Sequence, residues 1–191
     1  MSDNLYSPPQ APLLHTEVQE QRAFYVVSRG KFLTLFVLTF GLYQLFWAYQ
    51  NWRQFKQATQ QPMWPMARAF FAIFWTHALY READAWIKQN GRSHGWRHAE
   101  LATWFVLLAI ASKVLDALVR KNIGAPLLDF INLALIPLQA VVTFEGQRGL
   151  NVAGGDPQGQ SNARFTPINY VFIVIGVVLW LLVGVGLLVT L

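Results

Sequence analysis

The sequence predicts an all-α integral membrane protein, a bundle of five helices in one domain. Three observations carry this. Only 13% of the 191 residues are charged, against about 25% in soluble domains. Hydrophobic residues make up 54%, and eight Trp, fourteen Phe and six Tyr supply aromatic rings suited to water–lipid boundaries. Apolar runs recur near the roughly 20 residues that cross a bilayer core.

Residues 1–22 are polar, hold three prolines and show no apolar period, which predicts a flexible tail ahead of a single helical domain, 23–191. No basic stretch leads into an apolar one there, so a cleavable signal peptide is not expected. The run 32–52 is uncharged and reads as the first span, with Trp47, Tyr49 and Trp52 as an interfacial anchor. Pro65 opens a second helix to about Lys88, stopped at Asn90-Gly91. Its uncharged stretch from 69 to 80 covers only about 18 Å, so it either spans marginally or lies in the interface. A third helix fits 96–120. Pro126 opens a fourth that reaches about Glu145, with a kink expected at Pro137. Residues 146–166, rich in Gly, Asn and Gln, read as the one long loop. Residues 165–191 carry no charge and make the clearest span.

Five spans with the N-terminus inside place nine Lys and Arg on the inner side and five on the outer, which the positive-inside rule favours. Four spans, with an interfacial second helix, reverse the bias. The C-terminus is outside in both arrangements.

The formal charge of +5 belongs to residues at the ends of apolar runs, where basic side chains meet headgroups. With no helix-turn-helix or RNA-binding signature, nucleic acid is not an expected partner. The chain has no cysteine, which excludes disulfides and thiol nucleophiles.

Polar residues inside the apolar helices share faces at 100° per residue. The fourth helix carries Asp129, Asn132, Gln139 and Thr143 on one stripe. The third carries Lys113, Asp116 and Arg120 beside Ala102 and Ala109. The second carries His77, Arg81, Asp84 and Lys88. At membrane depth such groups need a protein partner or a wet cavity. Lys113, Asp116, Asp129, Asn132, Gln139 and His77 are therefore the candidate intramembrane polar network, for an ion, a proton or a lipid headgroup. The competing reading is structural: Lys113 and Asp116 pair along their own helix, and Asp129 sits near a helix N-terminus.

Other motifs are weaker. His94 and His98 lack a third metal ligand at a diagnostic spacing. The glycine-rich stretch 152–159 lacks a Gly-Lys-Ser/Thr ending, and no Gly-x-Ser-x-Gly elbow occurs. No metal, no cofactor and no enzymatic activity are predicted.

The end of the first helix has more pattern. Thr39, Gly41, Tyr43, Trp47 and Tyr49 stand in the order T-h-G-h-Y-x-x-h-W-x-Y, where h is apolar, and Tyr43 and Trp47 share a face with Asn51 and Gln54. This motif resembles that of small bacterial multi-pass membrane proteins classed as domains of unknown function, most densely over residues 24–80. The resemblance implies a bacterial inner membrane, and packing roles for Thr39, Gly41, Tyr43 and Trp47. It implies no reaction.

The leading functional expectation is a non-enzymatic protein that supports an assembly or senses the envelope. Its partners are the lipid bilayer and other membrane proteins or itself. The alternative is a small transporter or a lipid- or ion-binding protein that uses the polar stripe.

Overall fold

A computed structural model describes residues 22–190, with side chains described through 187. The flexible tail expected over 1–22 lies outside the described residues but for Arg22. Among the described residues the chain is all-helical, with seven α-helices: α1 (Arg29–Leu38), α2 (Tyr43–Thr59), α3 (Pro65–Phe70), α4 (Ala72–Gln89), α5 (His98–Val119), α6 (Leu127–Ala153) and α7 (Pro167–Thr190). A single 3-10 turn, Gln160–Asn162, precedes α7. Three helices are long and apolar enough to cross a membrane: α5, α6 and, in α7, Pro167–Leu187.

Five helices become seven because the first two predicted ones bend. The run 32–52 is not one helix. Phe40 and Gly41 adopt φ of 53° and 81°, a left-handed pair that ends a right-handed helix. The Gly41 N–H donates to the Phe36 carbonyl at 2.8 Å and closes α1. The Thr39 hydroxyl donates to the Leu35 carbonyl at 2.7 Å and accepts the Tyr43 N–H at 3.0 Å, so one side chain caps both helices. The predicted second helix bends at Phe71 (φ −99°, ψ 38°) into α3 and α4. No Gly or Pro marks that bend. The Arg68 guanidinium lies 4.3 Å from the ring centre of Trp52 and 4.4 Å from that of Trp75, tying α3 to its neighbours on both sides.

Contacts set the direction of each segment. Lys31 meets Asn162 and the Arg164 carbonyl, just before α7 begins. The end of α1 meets the middle of α7, where the Trp180 indole donates to the Val37 carbonyl at 3.0 Å and stacks on Phe40. α2 then returns past Phe32, Tyr25 and Phe24. At the other bent pair, Arg92, beyond the end of α4, donates to the carbonyls of Val152 and Ala153 at the end of α6. Both bends line one cavity with Leu108 and Ala109 of α5 and Ile136 and Gln139 of α6. The hairpin ends therefore gather at one end of the bundle, the near end. The bends reach only the middle of α5, α6 and α7, whose far halves project beyond them.

α6 runs unbroken through Pro137 and continues to Ala153, eight residues past the predicted end at Glu145. Two helical glycines explain both the misreading and the helix. Any side chain on Gly146 would overlap the Tyr80 phenol, and any on Gly149 would overlap the Trp96 indole. They stand where aromatic rings press on the helix, and packing offsets their low helix propensity. Trp47 and Trp52, expected in an interfacial belt, are instead 0% and 1% exposed.

Gly146→Ala is expected to lower the melting temperature of the detergent-solubilised protein through overpacking of about 1–3 kcal/mol. Gly184→Ala, with no neighbour within 4 Å, is expected to leave it unchanged. Equal melting of the two variants would overturn the packing role of Gly146.

Candidate functional site

Two polar constellations stand apart in the bundle, one buried at the near end and one at the far side of the bends.

The near-end constellation is built around residues 23–27, a non-helical segment buried throughout. Its backbone groups must be paired, yet no strand lies among the described residues. Side-chain amides take that role. Asn51 accepts the Tyr25 N–H at 3.1 Å, and Gln147 donates to the Tyr25 carbonyl at 2.7 Å. Asn151 both accepts from the Val27 N–H and donates to the Val27 carbonyl, each at 3.0 Å, as a neighbouring strand would. Asn162 donates to the Val26 carbonyl at 2.9 Å. The amides are held in turn: Gln147 donates to Asn151 at 2.7 Å and accepts from the Trp47 indole, and Asn51 donates to the Trp47 carbonyl at 2.9 Å. The Tyr25 and Tyr43 hydroxyls meet at 3.2 Å. Of the motif residues, Thr39 and Gly41 make the first bend, and Tyr43 and Trp47 face this network.

Sequence reasoning missed Gln147, Asn151 and Asn162 because it placed all three in a loop. A signal was present: Gln147 and Asn151 are four residues apart, so they share a helix face. Lys31, 4% exposed, donates at 2.7 Å to Asn162 and at 2.8 Å to the Arg164 carbonyl. Burial pushes its ammonium below the usual lysine range. Asp156 organises the loop before α7. Burial raises its carboxyl, but the Ser161 hydroxyl and the N–H groups of Ser161 and Gln160 outweigh that and hold it below the usual range.

The far constellation unites part of the predicted network. Asn132 donates to Asp116 at 2.6 Å and accepts from the Ser112 hydroxyl at 3.1 Å. Lys113 pairs with Asp116 at 3.5 Å along α5. Gln139, about two turns along α6 from Asn132, donates to the Phe105 carbonyl at 3.3 Å, and its Oε1 is buried with no hydrogen-bond partner. Ser112, Lys113 and Gln139 line the cavity beneath the bends, about 580 Å³. Asp129 sits half-buried in the first turn of α6 and joins no ion pair among the described residues. His77 lies elsewhere, exposed and 3.2 Å from Thr103. His94 and His98 flank the Trp96 ring, each at 5.7 Å between ring centres.

No family model, curated protein or solved structure matches the chain.

Asn151→Ala strands both backbone groups of Val27 and is expected to destabilise the fold by about 2–4 kcal/mol, seen as a lower melting temperature in detergent. Gln158→Ala, on the exposed loop, is the control. An Asn151→Ala protein that melts with wild type would overturn the strand-like role of Asn151.

Proposed function

We propose that this chain is a non-enzymatic multi-pass membrane protein that holds a small polar solute or a lipid headgroup within the bilayer. The ligand lies against Ser112, Lys113, Asp116 and Asn132. The observation that carries this reading is the cavity beneath the bends, lined by Ser112, Lys113 and Gln139, with Ser112 and Lys113 bonded to Asn132 and Asp116 behind them. In hydrocarbon a polar side chain needs a partner, and a polar ligand seated in the cavity offers one to Ser112 and Lys113. The cluster is half satisfied internally: Lys113 and Asp116 neutralise one another, which favours hydrogen-bonding ligands over bare ions.

In this reading α5, α6 and α7 cross the membrane, and the two bent pairs enter from the near side and return. Non-spanning backbone at membrane depth is tolerated where it lines a wet cavity, and both bends line the cavity. Twelve of the fifteen Lys and Arg then fall on the near side, against Lys113, Arg120 and Lys121 toward the other. The positive-inside rule places the near side in the cytoplasm and the C-terminus outside. The resemblance of residues 39–49 supports a bacterial inner membrane. A second reading, assembly with a partner or a second copy, is favoured by Leu181, Leu182 and Val185 of α7, which are 66%, 62% and 60% exposed.

The missing cysteines make both points testable by single-cysteine labelling. With an impermeant reagent on intact cells, Ile123→Cys is expected to label, while Gln61→Cys, Ser93→Cys and Gln158→Cys label only in opened membranes. External labelling of Gln61→Cys would mean that residues 32–52 cross fully. Asn132→Cys and Gln139→Cys should react with a small aqueous thiol reagent at least tenfold faster than the outward-facing Leu181→Cys. Equal rates would make the cluster dry packing and leave the assembly reading.

A further inference from the structure

Charge in this chain is segregated along the sequence. From Arg22 to Arg81 there are seven basic residues and no Asp or Glu, and no acidic residue follows Asp156. The helices α1, α2 and α7 all lie in these acid-free stretches. Between them runs an apolar groove of about 280 Å³, lined by Leu35, Leu42 and Phe46 on the hairpin and Ile168, Ile175 and Leu179 on α7. From Ile168 to Leu179 it follows α7 for about 16 Å.

Basic residues stand beside the mouth of the groove. Lys31 lies one helical turn before Leu35, and its bond to the Arg164 carbonyl sets Arg164 next to it, three residues ahead of α7. The buried Lys31 ammonium has two neutral partners, Asn162 and the Arg164 carbonyl. None of Arg29, Lys31 and Arg164 joins an ion pair among the described residues, and Arg29 and Arg164 are exposed. The preceding carboxylate, Asp156, is occupied by Ser161 and Gln160. A buried ammonium with only neutral partners keeps its desolvation cost, and an anion at the mouth reduces it. An apolar slot with basic residues beside its mouth is complementary to a hydrocarbon chain joined to a phosphate.

We infer that the groove between the first hairpin and α7 binds one anionic phospholipid of the near leaflet. An acyl chain lies along α7, and the phosphate sits at Arg29 and Arg164, with Lys31 behind. This site is separate from the cavity beneath the bends and does not depend on it.

The test uses the full chain in mild detergent, with phosphatidylglycerol or phosphatidylcholine added in mixed micelles and retained lipid measured by native mass spectrometry. Wild type should hold phosphatidylglycerol at least tenfold more tightly. Arg29→Gln with Arg164→Gln should cut that preference below threefold while the melting temperature without lipid stays put. Arg53→Gln with Lys56→Gln, on the other side of the hairpin, should leave it intact. Ile175→Trp, which fills the groove, should weaken both lipids alike. Equal retention of the two lipids by wild type, an unchanged preference in the Arg29/Arg164 variant, an equal loss in the Arg53/Lys56 variant, or full binding by Ile175→Trp would each overturn the site.

Discussion

The buried non-helical segment 23–27 is the constraint on which the rest of the near end depends. No strand among the described residues pairs its backbone groups, and burial screens them from water, so they need built partners. Asn51, Gln147, Asn151 and Asn162 supply those partners from α2, α6 and the turn before α7. Because every amide binds the same short segment, the segment fixes where these three elements stand relative to one another. It also sets the point from which α1 departs, and so how far the first bend reaches.

From that anchor the two bends follow different physics. The first is local. Thr39, Phe40 and Gly41 combine a double cap with left-handed backbone, all within one short stretch of chain. The second is tertiary, since Phe71 turns without a helix breaker and Arg68 is held between two tryptophans of different helices. Their common outcome is a bundle that is thick at the near end and thin at the far end. The difference leaves a cavity at mid-length, and Ser112, Lys113 and Gln139 border it.

The charge distribution fits the same asymmetry. Basic residues crowd the end where the hairpins open, where rings and amides bury the chain. Among the described residues the far half keeps one ion pair, Lys113 with Asp116, and its hydrogen-bonded Asn132 and Ser112. The proposed lipid groove and the polar cavity therefore sit on different sides of the first hairpin, one toward α7 and one toward α5 and α6.

Composition alone determined that this chain is helical and membrane-associated, because low charge and long apolar runs leave few other ways to satisfy the backbone. Spacing alone placed Asn132 and Gln139 on one stripe, and Lys113 and Asp116 on another, since the helical period fixes which residues share a face. It read Thr39 and Gly41 as part of a motif but not as a bend, because an uncharged run looks the same whether it crosses or turns back. It ended the fourth helix at Glu145 because Gly146 and Gly149 resemble a loop until Tyr80 and Trp96 are seen pressing on them. Which polar residues meet was decided only by the tertiary structure: Asn132 found Asp116, while His77 found Thr103 and Asn151 found Val27. Those pairings join residues 16 to 124 positions apart, and such contacts leave no period in the sequence.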